Sequence, residues 1–226
     1  LLDVYKGAEV IIPFFPGARQ DRRDGTPLST KVFADMLNQA EPSKVKILDP
    51  HSDVTSALVN NLEKMSLANL IRSPTRKSMP LGGDIWQEIR KSNGIVSPDA
   101  GGQKRAFEVA KMADRPIINC GKHRDPKTGN LSGFETPSGL SPGTYFVVDD
   151  ICDGGGTFLG LAEEWYKNNP NTKLALCVSH GIFSKGTEEL FKYYSDIYAS
   201  DSLDQTNNDG VKVIPFFEEG IFNNDN

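Results

Sequence analysis

The sequence predicts an α/β chain with mostly parallel sheets. Short apolar runs recur along the 226 residues, and each stops abruptly in a polar loop rich in glycine or aspartate. Most of these loops lead into a stretch whose apolar residues fall at helical spacing. The runs themselves are nearly unbroken, as in strands buried on both faces, and do not alternate as a strand with one wet face would.

Taken in order, EVIIPFF breaks into PGARQDRRDGTPLST, after which Val32, Phe33, Met36 and Leu37 recur at helical spacing. KVKIL ends in DPHSD. The stretch from Ser66 to Asn93 contains SPTRKSMPLGGD and has no clear period, so a domain junction is expected near residues 73 to 84, dividing 1–78 from 79–226. GIVS ends in PDAGGQKR, followed by Ala106, Val109, Ala110 and Ala113 on one helical face. From Lys122 to Gly143 a long polar loop of the lid-forming kind is expected, with Gly121, Gly129 and Gly133 as hinges. YFVV ends in DDICDGGGT, followed by Phe158, Leu161, Ala162 and Trp165 on one face. KLALCVS ends in HGIFSKG and then a helix. Ligands of open parallel sheets gather beyond the carboxyl ends of the strands, so the charged loops are expected to converge on one cleft.

Composition narrows the function. A formal net charge of −5, with both signs mixed throughout, disfavours nucleic acid and membrane surfaces as partners. Cys120, Cys152 and Cys177 show neither paired nor metal-like spacing and read as free thiols of a cytoplasmic protein. No apolar run reaches the ~18 residues of a membrane span, and no signal peptide is visible. The chain opens on LLDVYKGAEV and not on Met, which reads as a fragment whose beginning is missing.

The richest chemistry lies in VVDDICDGGGTF, Val147 to Phe158. Gly154, Gly155 and Gly156 allow a tight turn with exposed amides, and Thr157 opens the next helix. Free amides at a helix N-terminus suit a phosphate monoester. Asp149, Asp150 and Asp153 repel a phosphate and suit ribose hydroxyls or a divalent cation. Together these groups describe a sugar phosphate. A calcium loop counted from Asp149 fails, with Ile151 at its third position and Gly160 at its twelfth. Neither GxxxxGK[ST] nor GxGxxG occurs.

VVDDICDGGGTF resembles the phosphoribosyl pyrophosphate loop of the phosphoribosyltransferase fold. Around it, PFFPGARQDRRDGTPLSTKVFADML, LDPHSDV, SPDAGGQKRA, KHR and SHGIFSKG stand in the order found in ribose-phosphate pyrophosphokinases, from about Ala8 to Ser202. The resemblance implies two tandem phosphoribosyltransferase-type domains, the first N-terminally incomplete. It implies magnesium-dependent transfer of the diphosphoryl group of ATP to the anomeric hydroxyl of ribose 5-phosphate, by a homo-oligomer. It places Arg19, Gln20 and Asp21 at ATP. His51 is placed in the catalytic machinery, beside the nucleotide phosphates and the metal, and Asp99 at magnesium. Lys122 and Arg124 become the cations of the catalytic loop. Asp149, Asp150, Asp153, Gly154, Gly155, Gly156 and Thr157 become the ribose-phosphate site.

The residues themselves bear on these roles. Arg19, Arg22 and Arg23 in one turn repel one another unless an anion lies nearby. Asp99 before two glycines also suits a cap on the following helix. Cys152 reads as packing, and His180 as structuring its turn. Two departures from the family stand out. A segment before PFFP, which in the family helps hold adenine, is missing, and glycine stands at position 154 where the family usually has threonine. Losing that hydroxyl bond costs about 1.5–3 kcal/mol and suggests a roomier acceptor pocket. The same transfer to ADP-ribose is therefore an alternative, beside a phosphoribosyltransferase and a non-catalytic synthetase-associated subunit.

Overall fold

Every apolar run read from the sequence contains a strand, although EVIIPFF leaves the strand after Ile12, and hydrogen bonding orders these strands into two parallel sheets. In this computed structural model the described residues are 6–21, 28–72, 85–124 and 131–216, without the side chains of Arg124, Leu131 and Ser132. The chain divides into two units, Leu1–Ser66 and Leu67–Asn226.

The first unit contains β1 (Glu9–Ile12), α1 (Ser29–Gln39), β2 (Lys44–Leu48), α2 (Asp53–Leu58) and β3 (Leu62–Met65). Its strands form a parallel sheet in the order β1-β2-β3. Val45, Ile47, Phe15, Ala18, Ala34 and Val59 make its core. The helix turns a different face inward from the one that spacing alone suggests. Thr30 and Ala34 are buried, whereas Val32, Phe33 and Met36 are exposed. The Thr30 hydroxyl donates to the carbonyls of Gly17, at 2.8 Å, and Gln20, at 3.2 Å, which fixes the rotation of α1 against the turn after β1.

The second unit opens with α3 (Leu67–Arg72), whose Leu67, Leu70 and Ile71 are buried. There follow α4 (Ile85–Lys91), β4 (Gly94–Ser97), α5 (Gln103–Ala113), β5 (Ile117–Asn119), β6 (Gly121–Arg124) and β7 (Leu131–Glu135). The chain continues through β8 (Gly143–Cys152), α6 (Gly156–Asn168), β9 (Thr172–Gly181), α7 (Glu188–Phe191), β10 (Tyr194–Ser200) and β11 (Lys212–Ile214). The main sheet runs β11-β10-β9-β8-β4-β5, with every pairing parallel. Because α3 packs on α4 and α5, the second unit starts at Leu67 and not at residue 79. The irregular stretch 73–84 lies outside the described residues.

The segment expected to be one long loop is partly a hairpin. β6 and β7 pair antiparallel, with Lys122 opposite Phe134 and His123 opposite Gly133. Gly121 and Gly133 therefore sit in the ladder and are not free hinges, while Gly129 lies outside the described residues. Phe134 anchors the hairpin to α6. A Cβ at Gly160 would lie 2.4 Å from the Phe134 ring, so glycine is required there. Among the described residues no helix is long and apolar enough to cross a membrane.

The core of this unit centres on Trp165 of α6, fully buried, with its ring edge-on to Tyr145 at 5.4 Å. Its indole N–H donates to the Thr172 hydroxyl at 2.8 Å, so burial leaves no polar atom unpaired. Trp165→Ala should cost about 3–5 kcal/mol. Urea unfolding followed by circular dichroism checks this, and a loss under about 1 kcal/mol would contradict the assignment of Trp165 as the core anchor.

Candidate functional site

β8 and β9 stay paired to their carboxyl ends, with Asp149 opposite Val178, Ile151 opposite His180 and Cys152 opposite Gly181. Asp149 and Asp150 are therefore strand residues with little exposure, and not loop acids on the surface. One guanidinium serves both. Arg105 Nη1 lies 3.4 Å from Asp149 Oδ1, and its Nη2 lies 3.7 Å from Asp150 Oδ2. The amide of Asp150 also donates to Asp149 Oδ1 at 2.9 Å. Arg105 was missed as a site residue. Its signal lay in GGQKRA, where two glycines start α5. A Cβ at Gly102 would stand 3.2 Å from Asp149 Oδ1, so glycine lets the helix begin against the acid.

Burial is the main influence that raises the Asp149 carboxyl, to about 8, and the charge of Asp150 pushes the same way. Arg105 opposes both. The net direction is upward, because adjacent carboxylates shielded from water share one cation.

Beyond Cys152 the chain turns at Gly155, whose φ of +75° favours glycine. α6 begins at Gly156 with no side-chain cap, which leaves its first amides for an anion. Thr157 is the second residue of that helix. Lys122 Nζ donates to Thr157 Oγ1 at 2.6 Å and lies 3.6 Å from Asp99 Oδ2. The hairpin thus brings Lys122 to the glycine turn. Arg124 ends the same strand, and its side chain lies outside the described residues. Asp99 Oδ1 accepts from the amides of Gly101, at 2.9 Å, and Gly102, at 3.3 Å, which closes the turn before α5 and does not cap the helix, and it leaves Oδ2 toward Lys122.

The segment after β9 folds over the glycine turn. The amides of Ile182 and Phe183 donate to the Cys152 carbonyl at 2.8 and 3.1 Å. Ser184 Oγ donates to Asp153 Oδ1 at 2.6 Å. The Cys152 thiol is fully buried and pushed up to about 12, first by burial and then by Asp149 and Asp153, so it packs and does not react. His180 lies in β9 and not in the following turn, because the sheet ladder extends that far. It is buried, with Nδ1 2.8 Å from Ser202 Oγ.

The first unit presents its own set. Asp49, with φ of 39°, follows β2 and donates its amide to Met65. His51 is exposed, and Ser52 caps α2 by accepting from the amide of Val54. Arg19 and Gln20 are exposed on the turn that Thr30 ties down, with Asp21 next, while Arg22 and Arg23 lie outside the described residues. Among the described residues no group of three or more His, Cys, Asp and Glu is placed to hold a metal ion. His51 stands in the first unit and Asp99 in the second.

This chain is 29% identical to the ribose-phosphate pyrophosphokinase of Rhizobium meliloti (strain 1021), over 87% of its own length and 61% of the relative's. It is 28% identical to the enzyme of that name from Mycoplasma pneumoniae (strain ATCC 29342 / M129 / Subtype 1), over 95% and 66%. It is 30% identical to that from Agrobacterium fabrum (strain C58 / ATCC 33970), over 80% and 56%. The chain resembles the ribose-phosphate pyrophosphokinases. It spans less than two thirds of the length of each of these relatives. The fold is that of the phosphoribosylpyrophosphate synthetase from Mycobacterium smegmatis, with a TM-score of 0.74, 21% identity, and coverage of 92% of this chain and 66% of that one. No protein-family model matches the chain.

The raised carboxyl of this pyrophosphokinase-like chain has a consequence for stability. Above the ordinary aspartate value and up toward pH 8, the folded Asp149–Asp150 pair holds on to a proton more tightly than the unfolded chain does. The stability contributed by this group is complete below its unfolded value and is lost as pH rises toward 8. Asp149→Asn should flatten that fall, which denaturant midpoints at pH 5, 6.5 and 8 would reveal. An unchanged slope would mean that Asp149 titrates normally.

Proposed function

We propose that the chain takes part in transferring the β,γ-diphosphoryl group of ATP to the anomeric hydroxyl of ribose 5-phosphate, giving 5-phosphoribosyl 1-pyrophosphate and AMP. The observation that carries this reading is the order of groups after β8. Two buried acids, a glycine turn and the free amides of α6 follow one another within a few residues, on a chain that resembles ribose-phosphate pyrophosphokinases.

In this reading the amides around Gly154, Gly155, Gly156 and Thr157 hold the 5-phosphate. Asp149, Asp150 and Asp153 receive the ribose hydroxyls, with Arg105 limiting the charge repulsion between the first two. The anomeric oxygen forms a bond to the β-phosphorus of ATP, the bond from that phosphorus to the α–β bridging oxygen breaks, AMP departs, and the hydroxyl proton passes to water. Such transfers rest on positioning and charge neutralisation. Lys122 and Arg124 supply cations for that purpose, and Lys122 must leave Thr157 to reach a diphosphate.

Arg19, Gln20, Asp21 and His51 contact the nucleotide in this proposal, on the strength of the resemblance. The Asp99 oxygen that now faces Lys122 would suit magnesium, which is held by one or two carboxylates together with substrate phosphates and water. When bound, magnesium neutralises charge on those phosphates. His51, a nitrogen donor, fits a hydrogen bond to phosphate or to metal-bound water better than direct ligation of a hard cation. A cytoplasmic homo-oligomer belongs to the same proposal. A phosphoribosyltransferase would share the turn after β8 but would not need Lys122 beside Thr157.

AMP formation from ATP, magnesium and ribose 5-phosphate tests the proposal directly, and its absence at high protein concentration would overturn it for this chain. Lys122→Ala should lower kcat by about 10²–10³-fold while leaving the KM for ATP within about threefold, because its charge acts chiefly in the transition state. Near-normal turnover would remove Lys122 from catalysis.

A further inference from the structure

The glycine turn has a second lysine on it. Lys185 follows Ser184, whose hydroxyl is held by Asp153. Its stem crosses Gly154: a Cβ placed there would meet Cε at 3.4 Å, Cδ at 3.5 Å and Cγ at 3.8 Å. The backbone on either side takes positive φ, 45° at Phe183 and 74° at Gly186. Such angles are uncommon for a residue like Phe, so a defined turn delivers the lysine to this place. Lys185 is exposed, and among the described residues no carboxylate lies within ion-pair distance of it. The nearby acids are otherwise engaged, Asp153 by Ser184 and the Asp149–Asp150 pair by Arg105.

We propose that Lys185 is a specificity-determining residue that reads the double charge of a terminal phosphate monoester and selects ribose 5-phosphate over acceptors whose 5-phosphate is esterified, such as ADP-ribose. This rests on the acceptor site of the proposed function. Lys122 stands at Thr157 and Lys185 at Gly154, so cations flank the turn at both ends. Two cations and a set of helix amides match a dianion. A phosphodiester brings one negative charge fewer to each phosphate, and its second substituent must compete with the lysine stem. The Lys185 stem borders the space beside Gly154 at ordinary van der Waals distance from a Cβ placed there, so the side of the pocket expected to be roomier is lined by a lysine.

Lys185→Met keeps most of the stem and removes the charge. In the 226-residue chain, calorimetric titration with ribose 5-phosphate should show affinity weakened about tenfold or more. kcat at saturating acceptor should stay within about threefold, and the kcat/KM preference for ribose 5-phosphate over ADP-ribose should fall by a similar factor of about ten. A variant that keeps both affinity and preference, from a parent chain that binds and turns over ribose 5-phosphate, would overturn the role of Lys185 alone. A parent chain that neither binds nor turns over ribose 5-phosphate would overturn the role together with the proposed function.

Discussion

Two adjacent carboxylates at the buried end of a central strand repel each other and lose their water, so they need a cation beside them. Arg105 is that cation, within 3.4 Å of Asp149 and 3.7 Å of Asp150. Placing it there constrains much of the second unit. α5 must start beside the end of β8, which requires glycine at 102, where any Cβ would crowd the Asp149 carboxylate. Asp99 then closes the turn before that helix through the amides of Gly101 and Gly102. The acids stay on the ladder because β8 and β9 remain paired through Cys152 and Gly181. Only after that point does the chain release its backbone into the glycine turn.

The arrangement separates charges that would otherwise cancel. Carboxylates lie on the strand with a guanidinium between them, while amides and ammonium groups lie at the turn and the start of α6. A sugar phosphate has the same polarity along its length, hydroxyl donors at one end and an anion at the other. The contact between Lys122 and Thr157 joins the two halves of the proposed reaction, since the Thr157 oxygen accepts from the lysine while its own O–H remains to donate to a phosphate.

Much of this was legible in the sequence where local pattern decides structure. The strands appeared as unbroken apolar runs, and the turn after β8 as acids followed by glycines. Asp99 was expected to cap α5, but it closes the turn before the helix instead, bonding the amides of Gly101 and Gly102. What escaped depends on contacts between distant segments. The buried face of α1 is set by Thr30 reaching back to Gly17 and Gln20, against the stripe of Val32, Phe33 and Met36. Arg105 looked like one more cation on a helix, because its nearer partner in sequence, Asp149, lies 44 residues away. Lys122 and its neighbours read as loop because the strand that pairs with them follows an intervening polar stretch. Lys185 drew no notice because its significance lies in the glycine it crosses.

A crystal structure of the chain with ribose 5-phosphate tests the central claim most directly. The account predicts the phosphate within hydrogen-bonding distance of the amides between Gly154 and Thr157, the Lys185 ammonium on the same phosphate, and the ribose hydroxyls toward Asp149 and Asp150. A phosphate bound elsewhere, with the acid pair facing only Arg105, would contradict it.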